Sequence, residues 1–304
     1  MFFIMICNKK KIMGYCFMWK SLKIEEKIRI TDIYTLFDDH FENTYSFPGE
    51  THDFWECLYV IRGKLCVSGN ERVYNMSENE MIFHKPLELH KFYVDSENGA
   101  ELLIFSFSAV GELLEFFKNK VVRLTNEQHE IMETFRSFLD AHNEYYGKKR
   151  NNRKYLMNES PIYLQMITTY INQLLLSIYD DNLSTKVSNS PDAKIFKKAV
   201  KYMEMNVAKN LSISDIADYC NISPTGLKRI FFKYSGLGVH KYYVVMKINK
   251  AAKLLKAGKS VTEISEKLNF SSQGYFSTVF KREKSVSPTD YVKILREEEK
   301  ADVR

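Results

Sequence analysis

No apolar run among the 304 residues is long enough to cross a bilayer as a helix. Residues 1–7 are apolar but have no basic residue before them. Lys9, Lys10 and Lys11 come after them instead, the reverse of a secretory signal. Met13 and Met18 are alternative start positions, so residues 1–20 are read as an N-terminal extension outside the fold. Cysteine is sparse and scattered. Cys7, Cys16, Cys57, Cys66 and Cys220 form no C-x-x-C pair, and their odd number fits a reducing cytoplasm better than a disulfide framework. Cys57, Cys66 and Cys220 read as small core residues. No glycine-rich phosphate loop and no nucleophile motif is present, so no enzymatic motif is complete. What is present is an ordinary globular balance, 45% hydrophobic and 27% charged, in a chain long enough for two domains.

Charge is distributed unevenly. Residues 192–304 carry 22 Lys+Arg against 12 Asp+Glu, a net of +10, and residues 1–191 carry a net of −4. A basic module on a mildly acidic one points to a polyanion partner, although a lysine-rich solvated face fits the charge equally well. Residues 28–108 hold short β-branched and aromatic runs at 56–61, 64–68, 81–84 and 102–107, punctuated by Gly63 and Gly69-Asn70. This spacing suggests a sandwich or barrel. From residue 112 the period becomes helical, through Leu113, Leu114, Phe116 and Phe117 and on to Ile131, Phe135, Phe138 and Leu139. A basic break at 148–154 precedes an amphipathic helix over 162–179 that is apolar on two sides. Residues 181–192 are polar and Ser/Asn-rich and read as a linker. The charge changes sign there, and the remainder of the chain reads as seven helices.

Residues 213–231 and 261–280 repeat each other. At an offset of 48, Ile216 matches Ile264, Ala217 matches Ser265, Asn221 matches Asn269 and Ser223 matches Ser271. After one inserted residue, Leu227 matches Phe276, Ile230 matches Val279 and Phe231 matches Phe280. Each unit has the logic of a helix-turn-helix. Ser214 and Thr262 are expected to cap a first helix, and Ser223 and Ser271 a second. Asn221 and Asn269 suit a left-handed turn between them, and small Ala217 and Ser265 admit close helix approach. The second helices bury Leu227, Ile230 and Phe231, or Phe276, Val279 and Phe280. Their other faces offer Thr225, Lys228 and Arg229, or Gln273, Gly274, Ser277 and Thr278, to the DNA, Lys228 and Arg229 to guanine edges or phosphates and Lys281 toward phosphate. A long helix over 239–257 joins the units.

The most specific stretches are LSISDIADYCNISPTGLKRIFFKYSG, the run AAKLL, and SVTEISEKLNFSSQGYFSTVFKREKSVSPTDY. On these, residues 195–295 resemble the DNA-binding domain of the AraC/XylS family of bacterial transcription regulators. The resemblance implies two helix-turn-helix units joined by a helix and bound to asymmetric double-stranded DNA. The chain departs from the family's habit at five positions. Asn269 and Ser285 stand where Gly is usual, Lys247 and Val292 where Arg is usual, and Thr278 where a basic residue is common.

Residues 45–108 resemble the cupin-type effector domain that many of these regulators carry. His52, Glu56 and Gly63 match the first cupin motif, and Pro86 and His90 the second. Strand alternation puts Glu50, His52, Phe54 and Glu56 on one face. Three uses of these groups are open. Glu50, His52, Glu56 and His90 are plausible metal ligands. The same groups suit hydrogen bonds across a barrel. The favoured reading is an effector pocket in which His52, Glu56 and His90 hydrogen-bond a polar molecule and Phe54 forms a wall, with Trp55 and Phe92 as lesser candidates. No metal or cofactor is assigned.

The expected architecture is an α+β multidomain chain. A cupin-like β-barrel spans 21–110, a helical cover and dimerisation region 111–180, and the linker 181–192. An all-α tandem helix-turn-helix domain occupies 193–298, with units at 211–235 and 260–284. The expected function is a cytoplasmic, homodimeric transcription regulator, not an enzyme. It binds double-stranded DNA in response to a small-molecule effector, a sugar or other polar metabolite. RNA polymerase is a further partner, and no membrane is involved. The alternative is a metal-dependent cupin enzyme fused to a DNA-binding tail.

Overall fold

The computed structural model describes residues 21–143, 160–179 and 190–301. The expected extension over 1–20, the basic break at 148–154 and residues 181–189 of the expected linker lie outside the described residues. Among those described, the β-branched and aromatic runs form β1 (Arg29–Phe41), β2 (Trp55–Arg62), β3 (Lys64–Gly69), β4 (Arg72–Ser77), β5 (Glu80–His84), β6 (His90–Val94), β7 (Ala100–Val110) and β8 (Val121–Arg123). They pair antiparallel in two sheets, ordered β1-β7-β2-β5-β8 and β4-β3-β6.

The sheets do not close into the expected barrel. The chain changes layer between β4 and β5: β4 pairs with β3, whereas β5 pairs with β2 and β8. Asn79 turns this corner with φ of 66°, and the Glu80 carboxylate accepts from the Ser77 amide at 2.9 Å. Without a β4–β5 ladder the ring of paired strands stays open. Alternation then sorts side chains into layers. In β2, Cys57 and Tyr59 face a helical cover, and Leu58 and Val60 face the other sheet. In β3, Leu65 and Val67 face the same interior, while Cys66 faces the C-terminal half. Burial on both faces is why these strands are almost continuously apolar.

The cover consists of α1 (Leu114–Phe117), α2 (Asn126–Asn143) and α3 (Pro161–Tyr179). The helical period read from residue 112 is interrupted, because Val121 and Val122 enter the sheet as β8 and point to opposite faces. α3 buries Ile167, Ile171, Leu174, Leu175 and Ile178 against the five-stranded sheet, a single stripe at helical spacing. Its other side leaves Ile162, Met166 and Leu176 exposed.

The described C-terminal half consists of α4 (Pro191–Met205), α5 (Ile213–Cys220), α6 (Pro224–Ser235), α7 (Val239–Lys256), α8 (Val261–Lys267), α9 (Gln273–Lys284) and α10 (Pro288–Ala301), the seven helices expected. The caps differ from the expected ones. α5 and α8 start at Ser212 and Ser260, each in a capping box with Asp215 or Glu263 at the third position. Ser214 and Thr262 lie inside the first turn, since only a cap three residues before an acid satisfies two backbone donors reciprocally. α6 is capped by Ser223 as expected, but α9 by Ser272 rather than Ser271. The inserted residue therefore precedes the cap. Asn221 and Asn269 take the left-handed turn, with φ of 56° and 51°. Leu227, Ile230 and Phe231 fill one core, and Phe276, Val279 and Phe280 the other.

The departures from the family habit have local accounts. Lys247 is buried and donates to the Leu268 carbonyl at 3.0 Å, closing the end of α8. Val292 packs against the α7–α9 core. Ser285 ends α9 in the left-handed region with φ of 63°, where a Cβ costs about 1–2 kcal/mol. Ser285→Gly removes that cost and adds some unfolded-chain entropy, for a net gain of about 0.5–1 kcal/mol. A denaturant titration checks it: the unfolding midpoint of the C-terminal half rises.

Candidate functional site

The two second helices present their outer faces as the repeat implies. Thr225, Lys228 and Arg229 are exposed on α6, and Gln273, Gly274, Thr278 and Lys281 on α9, with Ser277 half-buried. Their neighbours modify the expectation. Arg229 is taken up by Asp192 at the start of α4, through two bonds of 3.1 and 3.2 Å, and Lys233 lies 3.8 Å from the same carboxylate. Gln273 accepts from the Thr262 hydroxyl at 3.1 Å, and Thr278 donates to the Gly274 carbonyl at 3.0 Å. Tyr275 stands among them, 48% exposed. Sequence comparison within the repeat hid this aromatic, because its counterpart in α6 is Gly226.

A second set of groups gathers at one end of the space between the sheets. Glu56 shares the inward face of β2 with Leu58 and Val60, and His90 that of β6 with Phe92 and Val94. Glu50 bridges to His90 through the backbone, so residue 50 arrives beside β6 rather than as an extension of β2. The chain bends at 53–54 before β2 begins. Glu50, His52, Glu56 and His90 nevertheless converge, with one ligand atom of each lying within 4.8 Å of all the others. His90 Nε2 stands 3.2 Å from Glu56 and 3.7 Å from Glu50, and His52 Nε2 3.6 Å from Glu56 and 4.0 Å from Glu50. That spacing admits one small ion or water between the groups. Phe54 is stacked between Tyr34 and His52, at centroid distances of 4.1 and 3.9 Å, and so fixes the His52 ring. Trp55 points into the helical cover, and Phe92 packs between the sheets on Phe47.

A layer behind the cluster holds it in place. His84 stacks on His90 at 4.3 Å, and its Nδ1 lies 3.2 Å from the Glu88 carboxylate. Burial pushes His84 toward its neutral form. Burial also opposes charge on Glu88, but His84 and Lys85 outweigh it and hold the carboxyl at about 2. For Glu56, burial is outweighed by His52 and His90, and its pKa falls well below the usual range. For His90, burial is outweighed by Glu50 and Glu56, which raise its pKa to about 10.

Two known families match this chain. A helix-turn-helix domain family covers residues 216–294, and the AraC-like ligand binding domain family covers residues 36–153. The HTH-type transcriptional regulator YidL of Escherichia coli K12 is 22% identical, over 79% of this chain and 75% of its own. The transcriptional activator RhaS of Escherichia coli O81 is 24% identical, over 80% of this chain and 87% of its own. The chain belongs to the AraC family of transcriptional regulators. It is a DNA-binding regulator with an N-terminal ligand-binding domain. Among solved structures, ToxT from Vibrio cholerae is similar over 89% of this chain and 99% of that one, at 14% identity and a TM-score of 0.37. No described helix is long and apolar enough to cross a membrane.

In this AraC-family chain the sheet β4-β3-β6 carries the DNA-binding half on its outer face. Cys66, Val73 and Leu89 join the core of α4, α5 and α6. The Ser68 hydroxyl donates to the Tyr234 carbonyl, and Lys91 Nζ to the Phe232 carbonyl at 3.0 Å. Both carbonyls lie in the last turn of α6, where that of Phe232 also accepts from the Gly236 amide at 3.0 Å, and a cation there is favoured. Residues 48–49 pass against residues 235–236. A Cβ on Gly49 would lie 2.7 Å from the Ser235 carbonyl, and one on Gly236 would strike the Pro48 carbonyl. Further along, Asn249 of α7 donates to the Leu87 carbonyl at 3.1 Å and to the Thr51 hydroxyl at 3.3 Å. A cavity of about 330 Å³ lies beside that contact, lined by Leu87, Leu89, Tyr242, Val245, Lys250 and Lys253. The segment that supplies Glu50 and His52 thus lies directly on α6 and α7.

The raised His90 pKa fixes a sign for stability. In unfolded chain the imidazole titrates near 6.5, so its ion pairs contribute fully below that pH and are lost as pH rises through about 10. In metal-free buffer the melting temperature of the N-terminal half therefore falls between pH 6.5 and 10, and His90→Gln flattens that slope.

Proposed function

We propose that this regulator binds specific operator DNA through α6 and α9 as a homodimer in the cytoplasm, under control of a small polar effector. The effector class is a sugar or another hydroxylated metabolite, received at His52, Phe54, Glu56 and His90. The observation that carries the reading is the double duty of residues 48–53. They bring Glu50 and His52 to the cluster, and they pack on the end of α6 and on Asn249 of α7. A ligand that moves this segment changes the placement of both helix-turn-helix units, provided it binds the two placements unequally. Double-stranded DNA is the macromolecular partner, and RNA polymerase a further one. Dimerisation is supported by α3, whose exposed Ile162, Met166 and Leu176 exceed what one sheet contact needs. Light scattering behind size exclusion tests it, and a monomer at micromolar concentration counts against it.

Retention of fragmented genomic DNA on purified protein at moderate salt tests specific readout, expected as sharp peaks upstream of a few operons. Diffuse, salt-sensitive retention, unchanged by added metabolites, would overturn it. With an operator in hand, Arg229→Ala lowers affinity by about 1–3 kcal/mol and relaxes specificity at one base position. Lys228→Ala lowers affinity evenly across sequences and reduces the salt slope by about 1, as loss of a phosphate contact does.

A further inference from the structure

We infer that Glu50, His52, Glu56 and His90 form a site for one divalent transition-metal ion, which ties residues 48–53 to the sheet interior beside the DNA-binding half. The inference deepens the proposed function, since it names an occupant for the same cluster. It starts from the ring orientations. His52 Nδ1 lies 3.0 Å from the Phe54 carbonyl, and His90 Nδ1 lies 3.1 Å from the Glu88 carbonyl. A carbonyl only accepts, so both Nδ1 atoms carry the hydrogen. Each ring therefore turns Nε2 toward two carboxylates. Both Nε2 atoms are buried without a hydrogen bond, and the His90 side chain is only 3% exposed. Two carboxylates facing these nitrogens call for a cation between them, a proton on Nε2 in the metal-free chain and a metal ion that displaces it on binding. Metal-bound histidines characteristically show this arrangement, with the far ring nitrogen donating to a carbonyl.

The spacing agrees. Four tetrahedral ligands at about 2.1 Å from an ion stand about 3.4 Å apart. The four imidazole–carboxylate separations here run from 3.2 to 4.0 Å. Two neutral imidazoles and two carboxylates neutralise a dication, and this mixed nitrogen–oxygen set suits Zn²⁺, Fe²⁺ or Mn²⁺. Three of the ligands are held: Glu56 and His90 by strands, and His52 by its stack on Phe54. Glu50 is 46% exposed, so the ion's accessible side faces the segment that lies on α6 and α7.

The test uses the full chain, purified without a histidine tag, stripped with chelator and titrated with Co²⁺ and Zn²⁺ in the absence of DNA and metabolites. One Co²⁺ per chain is expected, with a visible d–d spectrum of nitrogen and oxygen ligation, displaced by Zn²⁺. His90→Ala and Glu56→Gln weaken Co²⁺ binding by more than about 100-fold, since even outer partners of a metal ligand are worth 10–100-fold. Glu50→Gln, at a half-exposed position that leaves folding intact, weakens it by at least about 10-fold, and His240→Ala leaves it unchanged. Hydrogen exchange at residues 46–53 and 232–238 slows when the ion binds. Absence of a stoichiometric ion, or equal affinity in the wild type and Glu50→Gln, overturns the site. In that case a thermal shift with hydroxylated metabolites still decides the effector reading separately. An ion bound through these four groups with exchange unchanged upholds the site and overturns control through residues 48–53.

Discussion

The three-stranded sheet β4-β3-β6 is buried on both faces, and the other layers are arranged around that fact. Its inner face meets the five-stranded sheet through Leu65, Val67 and Phe92. Its outer face meets the DNA-binding half through Cys66, Val73 and Leu89. A sheet so thin has no side to spare for solvent, so the ligand-binding and DNA-binding halves share one slab of structure. A shift of β3 or β6 is felt on both sides, because close-packed interiors transmit strain rather than absorb it.

The charged cluster occupies one end of this slab, where the apolar lining gives way. Six titratable groups, Glu50, His52, Glu56, His84, Glu88 and His90, sit in contact at its end. The buried charges among them are unfavourable unless each is matched, and removal of one partner leaves the rest uncompensated. The cluster is therefore poorly explained as a stabilising device and well explained as a place whose balance depends on what occupies it. The aromatic rings of Phe54 and Tyr34 close its flank, and the carbonyls of Phe54 and Glu88 set the orientation of its imidazoles.

Much of this was legible in the sequence, and the failures share a cause. The tandem helix-turn-helix repeat was readable because its signals are local: left-handed Asn221 and Asn269, and apolar anchors at helical spacing. The caps were misassigned where two hydroxyl side chains compete. Ser212 prevails over Ser214, Ser260 over Thr262 and Ser272 over Ser271, and in the first two pairs the acid at Asp215 or Glu263 settles the contest. The convergence of Glu50, His52, Glu56 and His90 was anticipated from alternation, yet the structure achieves it through a bend and a bridge to β6. The open sheets and β8 were not legible, since strand pairing across 40 residues leaves no periodic trace. Nor was the seat of residues 48–53 on α6, which joins positions almost 190 apart through backbone contact, nor Arg229's capture by Asp192.

The meeting of Gly49 with Gly236 has a consequence for modular reuse. Each glycine takes a positive φ, and each backbone occupies the volume that the other's side chain would need. At this point the two halves are keyed to each other by missing atoms, beside the bonds made by Ser68, Lys91 and Asn249. A chimera that joins this DNA-binding half to another sensor inherits its recognition helices intact. It inherits the seated arrangement only if the incoming sensor offers the same bare stretch of backbone and a cation to meet the end of α6.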